Sequence, residues 1–173
     1  MSQIVDESLY SRQLYVFGHE AQKKMGSASV LIMGLNGLGV EVAKNIILAG
    51  VKSVTLYDNT ITTYEDLSSQ FYLNENDIGI PRSITTSKKL AELNPYVDVI
   101  SIHPNEQVTT EIISKHTIVV LIDQPWELQL QISEFCRLKN IAILTGKGNR
   151  LCVYNNAILC IKTCIYNIHT CFY

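Results

Sequence analysis

The strongest constraint on the fold is an unbroken apolar run that leads directly into a glycine-rich turn. Residues 30–33 contain no polar side chain, which is typical of a strand covered on both faces, and the turn at residues 34–39 reads Gly-Leu-Asn-Gly-Leu-Gly. Beyond the turn, apolar residues recur every three or four positions until Gly50, and this spacing predicts a helix. Because a second apolar strand follows at residues 53–57, the segment is predicted to form a βαβ unit.

The same alternation of strands and helices continues along most of the chain. Further helices are predicted at residues 82–93, near Thr110 and at 126–138, and further strands at 97–102, 118–122 and 141–144. Two short helices, 8–17 and 19–25, are predicted on either side of Gly18. The alternation predicts an α/β fold, a doubly wound and largely parallel Rossmann-like sheet with helices on both faces. Its ligand crevice is expected at the carboxyl ends of the strands.

The alternation stops near residue 148, which sets the predicted domain boundary. Residues 1–147 are assigned to one domain, and residues 148–173 to a divergent tail rich in Cys, Asn, Tyr and Ile. From Asn149 onward the tail has no Asp or Glu, and it holds four of the five cysteines without a CxxC pair, which disfavours a zinc site. Our hypothesis is that the tail is a misread or retained non-coding stretch, and the alternative is a divergent terminal strand pair. An exon that runs without interruption through codon 173 would rule the hypothesis out.

The charge of the chain argues against two classes of partner. The formal net charge is -2, the isoelectric point is about 6.1 and no basic run occurs, so nothing favours nucleic acid or an anionic membrane. Residues 1–7 are polar and acidic, unlike a signal peptide, and no apolar run is long enough to span a membrane. We therefore expect a cytoplasmic and nuclear protein.

The glycine-rich turn has the context of a nucleotide-binding loop but lacks one of its glycines. In a working G-x-G-x-x-G loop the first glycine makes the turn, the second admits the phosphates and the third lets the helix pack on the strand. Gly34 and Gly39 keep the first and third roles, whereas Asn36 places a side chain where bare backbone is needed. Asp58 ends the second strand and is interpreted either as the acid that binds a ribose hydroxyl or as a turn residue.

Five segments of the chain resemble the ubiquitin-activating enzymes, within the ThiF/MoeB-like superfamily, over about residues 6–145. They are residues 10–16 (Tyr-Ser-Arg-Gln-Leu-Tyr-Val), 34–52, 66–73 (Asp-Leu-Ser-Ser-Gln-Phe-Tyr-Leu), 77–79 (Asp-Ile-Gly) and 90–97 (Leu-Ala-Glu-Leu-Asn-Pro-Tyr-Val). The resemblance implies an enzyme with two related adenylation domains. One domain binds ATP, magnesium and the carboxyl terminus of ubiquitin and forms an acyl adenylate, while the other has lost these functions.

This chain resembles the inactive, N-terminal half of that enzyme. Compared with an active half, Thr60 replaces a second acid, Ser69 replaces a phosphate-binding arginine, and Ile80 replaces a lysine, with Arg82 displaced by two positions. Asp123 keeps the position of a magnesium-binding carboxylate and is interpreted as a vestige. We therefore expect no cofactor and no metal in this half, and ATP with magnesium in the partner half.

Arg12 is the candidate catalytic residue, because in the family the arginine of this helix reaches the ATP bound by the opposite half. Such an arginine adds fixed positive charge where phosphate charge must be stabilised. The alternative is a solvated helix arginine. The partners implied are a second, active adenylation half in cis or in trans and ubiquitin or a ubiquitin-like modifier.

Two rival interpretations come from other classes of protein. The order of strand, glycine turn, helix and Asp58 also fits a free-standing nicotinamide-dinucleotide-binding Rossmann enzyme, and the early end of the pattern fits a nonfunctional truncation product. The four histidines show no metal-ligand spacing, and Cys136 is predicted to pack in the core. The thioester cysteine of the family belongs to a separate domain and is not assigned to this chain.

Overall fold

The computed structural model describes residues 9–147 and the backbone of residues 150–154. The helices are α1 (Ser11–Ser27), α2 (Gly37–Leu48), α3 (Arg82–Ala91), α4 (Thr110–Ser114) and α5 (Trp126–Lys139), with short 3-10 turns at Asp66–Ser68 and Glu75–Asp77. The strands are β1 (Ser29–Met33), β2 (Ser53–Tyr57), β3 (Asp98–Ser101), β4 (Ile118–Ile122), β5 (Ala142–Lys147) and β6 (Arg150–Tyr154). They form one sheet in the order β3-β2-β1-β4-β5-β6, in which the first five strands are parallel. The predicted doubly wound α/β fold is confirmed.

Helices cover both faces of the parallel strands because alternate side chains of each strand point to opposite sides. Val30 and Ile32 pack with the buried side chains of α2 and α3. Leu31 and Met33 point the other way and pack with those of α4 and α5. The continuous apolar run of β1 is therefore buried from both sides, as its sequence predicts. No helix in the described part of the chain is long and apolar enough to cross a membrane.

The N-terminal helical segment is interrupted where the sequence predicts a break. Residues 11–27 form one segment, but Gly18 has φ 79° and ψ 168°, which are not helical angles. A positive φ is inexpensive for glycine because it has no Cβ. The two predicted helices are thus present on either side of Gly18, although the second continues to Ser27 instead of ending at Gly26.

The sixth strand is the main element that the periodicity did not predict. β6 pairs antiparallel with β5 from Lys147 opposite Arg150 to Ile143 opposite Tyr154. The predicted boundary at residue 147 falls where β5 ends, and residues 155–173 lie outside the described part of the chain. The origin of the tail therefore stays a prediction, and the side chains of its cysteines lie outside the described residues as well.

A buried histidine links α4 to the sheet and gives the fold an expected pH dependence. The ring of His116 lies with Nδ1 2.8 Å from the carbonyl oxygen of Ile112 and Nε2 2.8 Å from the hydroxyl of Thr55. These partners fit a neutral ring whose Nδ1–H donates to the carbonyl and whose Nε2 accepts from the hydroxyl. Burial, with a smaller effect from Lys115, lowers the pKa of His116 below its ordinary value of 6.5.

We expect the free energy of unfolding to fall as the pH drops below the ordinary histidine pKa. The unfolded chain then binds a proton that the folded chain excludes, so stability rises with pH by at most about 1.4 kcal/mol per unit in this window. Urea titrations between pH 5 and pH 8 measure the effect. The His116→Gln variant should be less stable at pH 8 and should show a flatter profile. Equal slopes for the variant and the parent chain would contradict this role of His116.

Candidate functional site: the crevice at the carboxyl ends of the strands

The glycine turn lies at the point where the strand order of the sheet reverses, between the carboxyl ends of β1 and β4. Gly34 has φ 98°, and a Cβ at this position would lie 2.3 Å from the carbonyl oxygen of Ile122. A Cβ on Gly39 would lie 2.0 Å from the carbonyl oxygen of Gly34. Both positions therefore require glycine, in agreement with the turn and packing roles expected from the sequence.

Asn36 closes the turn over the start of α2. Its Oδ1 accepts a hydrogen bond of 3.0 Å from the backbone N–H of Gly39, which makes Asn36 the N-cap of the helix. Its Nδ2 donates to Oδ2 of Asp123, the residue after β4, which has φ 51°. The side chain of Asn36 thus uses a backbone donor that a phosphate would need and bridges the two strands that flank the crevice.

The first residue of α2 is also covered, by a segment that follows β2. A Cβ on Gly37 would lie 2.6 Å from the carbonyl oxygen of Ser69, so the backbone of Ser69 lies directly against the helix start. Carbonyl oxygens carry partial negative charge, which disfavours an approaching phosphate. Sequence reasoning assigned Ser69 only as a missing arginine and gave Gly37 no role, although the extra glycine was a signal of close backbone approach.

Asp58, the candidate ribose acid, is fully engaged by the chain itself. Its Oδ2 accepts a hydrogen bond of 2.7 Å from the N–H of Leu35, and its Oδ1 accepts one of 2.8 Å from the N–H of Thr60. The guanidinium of Arg82 lies 3.0 Å from the same Oδ2 through one terminal nitrogen and 3.1 Å through Nε. The side chains of Asp58 and Arg82 are only 3% and 13% exposed. This carboxylate therefore holds the glycine turn, the end of β2 and the start of α3 together.

Arg82 holds a second carboxylate at the same time. Its other terminal nitrogen lies 2.8 Å from Oδ1 of Asp66. The other carboxylate oxygen of Asp66, Oδ2, accepts hydrogen bonds from the backbone N–H and the hydroxyl of Thr63. Burial opposes the charged form of Asp66, but the Thr63 N–H and the Arg82 guanidinium outweigh it and hold the pKa of Asp66 below its usual value. We call Asp58, Arg82 and Asp66 the Arg82 clamp. Sequence reasoning noted Arg82 only as a displaced cation and missed both of its partners.

A buried glutamine ties the clamp region to the glycine turn. Gln70 donates from Nε2 to the carbonyl oxygen of Leu35 at 3.3 Å and to the hydroxyl of Thr86 at 2.9 Å, and its Oε1 accepts from the N–H of Tyr72 at 2.9 Å. Ile80, which the sequence analysis compares with the lysine of an active half, is exposed. The loops around the crevice are therefore connected by side-chain hydrogen bonds within the chain.

Arg12 lies outside this crevice. Its side chain is exposed and contacts no other side chain that the structure describes through a hydrogen bond or an ion pair. The start of α1 is anchored through Tyr10 to the carboxyl end of α2, near Gly50, whereas the glycine turn is at the other end of this helix. Since α2 is about 18 Å long at 1.5 Å per residue, Arg12 and the glycine turn are held at opposite ends of it.

Residues 9–147 contain no candidate metal site. No three His, Cys, Asp or Glu side chains in this range form a group that could hold a metal ion. Cys136 is buried in the layer between α5 and the sheet, and burial raises the pKa of its thiol to about 11. The predicted core position of Cys136 is confirmed, and such a thiol is a poor nucleophile at neutral pH.

Curated relatives of this chain are much longer proteins. "Ubiquitin-activating enzyme E1 1" of Schizosaccharomyces pombe is 47% identical over 164 residues, which cover 92% of this chain and 16% of the relative. "Ubiquitin-like modifier-activating enzyme 1" of Mus musculus is 52% identical over 142 residues, which cover 82% of this chain and 13% of the relative. The chain thus spans a small part of each relative, and the resemblance to the ubiquitin-activating enzymes is confirmed.

The architecture is shared with solved structures of distant sequence. Escherichia coli tRNA N6-threonylcarbamoyladenosine dehydratase, in complex with AMP, superimposes with a TM-score of 0.70 at 15% identity, over 84% of this chain and 60% of that one. Identity this low establishes the fold alone. The sequence model of the ThiF family matches residues 10–160, and this chain belongs to the ThiF family.

Proposed function

We propose that this chain is the non-catalytic adenylation half of a ubiquitin-activating enzyme. It would support ATP-dependent adenylation of ubiquitin or a ubiquitin-like modifier by a partner half. The names of the curated relatives support the class of substrate. The observation that carries the non-catalytic role is the Arg82 clamp, because the position of the ribose acid is filled by a guanidinium of the same chain.

The residues at the crevice do not fit a bound ATP. Ribose recognition needs a free carboxylate, but Asp58 already accepts from Leu35, Thr60 and Arg82. Phosphate binding needs free backbone donors and a cation, but the N–H of Gly39 is bonded to Asn36 and the charge of Arg82 is compensated. The E. coli dehydratase has the same fold in complex with AMP, so the fold does not exclude a nucleotide and the obstacle lies in local contacts of this chain.

The partner half would therefore bind ATP and magnesium, and this chain would contribute Arg12. The contact of Tyr10 with Gly50 supports this assignment, because it anchors the start of α1 away from the chain's own glycine turn. The guanidinium is exposed and pairs with no described side chain, so it is available to a ligand on another domain. An arginine that reaches a phosphate from a second domain stabilises charge in the transition state without binding the nucleotide on its own.

Calorimetric titration of the full chain with Mg-ATP tests the first part of the proposal. We expect no saturable binding with a dissociation constant below about 1 mM, because Asp58, the N–H of Gly39 and Arg82 are already engaged within the chain. The S. pombe relative serves as the positive control under identical conditions. Magnesium-dependent saturable binding would contradict the proposal, and saturable binding of NADH would favour a nicotinamide-dependent enzyme instead.

A chimeric enzyme tests the supporting role. In the assembled enzyme, this chain replaces the matching segment of the S. pombe relative. ATP–pyrophosphate exchange that depends on ubiquitin is expected to survive the replacement and to be lost when the segment is deleted. A replaced enzyme as inactive as the deletion would contradict the supporting role.

A further inference from the structure

Three of the segments that resemble the ubiquitin-activating enzymes meet at one point of the fold, far from the crevice. They contribute Tyr10 before α1, Gly50 after α2 and Asn94 after α3. The hydroxyl of Tyr10 accepts a hydrogen bond of 3.0 Å from Nδ2 of Asn94, across 84 positions of sequence. The proposed function uses the contact of Tyr10 with Gly50 only to place the start of α1 and gives Asn94 no role. We call Tyr10, Gly50 and Asn94 the Tyr10 latch.

The three residues of the Tyr10 latch pack closely against one another. A Cβ on Gly50, which has φ 78°, would lie 2.4 Å from the hydroxyl oxygen of Tyr10 and 2.5 to 2.7 Å from its ring carbons. The second hydrogen of the Asn94 amide is donated to the carbonyl oxygen of Ile47 at 3.0 Å, and Oδ1 of Asn94 accepts from the N–H of Tyr96 at 3.1 Å. Asn94 is buried and uses both ends of its amide, so the position of the Tyr10 ring is fixed from two sides.

The latch lies at the start of the first half of α1. Gly18 breaks the helical geometry, so the segment 11–17 is not held in line by the rest of α1. Tyr15, Val16 and Phe17 are exposed, so the segment packs on the fold only through the half-buried Gln13 and Leu14. The carbonyl oxygen of Tyr10 also accepts the first hydrogen bond of the helix, from the N–H of Leu14 at 2.9 Å. Tyr10 therefore contributes to the orientation of the segment that carries Arg12, together with the half-buried Gln13 and Leu14.

We propose that the Tyr10 latch is a positioning element that aims Arg12 at the nucleotide of the partner half. This inference rests on the proposed function, since it supplies the geometry for the donated arginine. Misplacing a group by about 1 Å in an active site costs on the order of 100-fold in rate. Tyr10 itself touches neither ATP nor the modifier in this mechanism, and it acts through Arg12.

Hydrogen exchange of the full chain tests whether Tyr10 holds the segment 11–17 in place, and it requires no assay of enzyme activity. We expect amides of the segment 11–17 to exchange at least about 10-fold faster in Tyr10→Ala, while those of β1 and β4 stay protected. Tyr10→Phe keeps the ring against Gly50 and should show a smaller change. Tyr96→Ala, which removes an exposed tyrosine next to Asn94, is the matched control. Unchanged exchange in Tyr10→Ala would overturn the latch.

Kinetics of the assembled enzyme test the link to Arg12. We expect Tyr10→Ala to lower the kcat of adenylate formation about 10-fold, with a smaller change in KM for ATP, and Tyr10→Phe to restore most of the rate. If Tyr10 acts through Arg12, the double variant with Arg12→Ala should be no slower than Arg12→Ala alone. A merely structural role of Tyr10 would instead multiply the two losses.

The Tyr10→Ala and Arg12→Ala enzymes test the positioning role of Tyr10 and the donated role of Arg12 separately. A slow Arg12→Ala enzyme combined with an unaffected Tyr10→Ala enzyme would overturn the positioning role and leave the donated arginine in place. If the two losses multiply in the double variant, the positioning role is likewise overturned and the donated arginine stays in place. An Arg12→Ala enzyme with the parent rate would overturn both, whatever hydrogen exchange shows for the segment 11–17.

Discussion

Replacement of Arg12 by alanine is expected to lower adenylate formation in the assembled enzyme about 100-fold, which is the usual cost of removing one charge-stabilising donor from a transition state. The guanidinium is exposed in this chain, so its removal breaks no contact among the described side chains. The melting temperature of the isolated chain should therefore stay close to that of the parent. The loss belongs to the chemical step, so kcat and kcat/KM should fall together. Ubiquitin-dependent ATP–pyrophosphate exchange measures both.

Two further variants show whether the loss is specific to the guanidinium. Arg12→Lys keeps the positive charge but lacks the planar fork that binds two phosphate oxygens, so it should recover only part of the rate. Lys23→Ala removes an exposed cation from the second half of α1 and should leave the rate nearly unchanged. If Arg12→Ala exchanged pyrophosphate at the parent rate, Arg12 would be a solvated helix arginine and the donated role would be wrong.

The sequence defined most of the sheet because its strands are apolar runs bounded by turn residues. β2 and β4 begin and end at the predicted residues, 53–57 and 118–122. In a parallel sheet with both faces covered, a strand is mostly apolar, so the run itself marks the element. β4 is apolar throughout, whereas β2 includes the polar Ser53 and Thr55. β6 is an edge strand that pairs on one side within the described structure, and the segment 150–154 carries no periodic pattern that would have separated it from the tail.

Of the candidate site, only the glycine positions of the turn were predictable from the sequence, and the side-chain contacts were not. Gly34 and Gly39 were identified because turn geometry and close packing leave a signature in residue type. The contact of Arg82 with Asp58 spans 24 positions and depends on where α3 begins relative to the end of β2. A sequence shows that an arginine is displaced from its usual position, but it does not show which carboxylate the side chain reaches. The side-chain contacts that bear on nucleotide binding are thus visible only in the tertiary structure.

Asp58→Ala is expected to lower the free energy of unfolding by about 3 kcal/mol, the lower end of the cost of breaking a buried ion pair by removing one partner. The variant leaves the guanidinium of Arg82 with Asp66 as its remaining anion, and it leaves the N–H of Leu35 without its acceptor. Urea titration at pH 7 measures the change. Asp98→Ala, which removes an exposed acid from the edge strand β3, should change stability by less than about 0.5 kcal/mol.

The same variant decides between the two interpretations of Asp58. If Asp58 serves a ribose, its substitution should abolish nucleotide binding and leave the free energy of unfolding almost unchanged. If Asp58 belongs to the Arg82 clamp, its substitution must lower the free energy of unfolding. Arg82→Met provides the second side of a double-mutant cycle, because it removes the guanidinium and keeps an unbranched chain of similar length. If the two residues stabilise the fold through each other, the double variant should be less destabilised than the sum of the single variants by at least about 1 kcal/mol. Additive losses would mean that Asp58 acts mainly through the N–H groups of Leu35 and Thr60, and the Arg82 clamp would then not support the proposal that this chain binds no nucleotide.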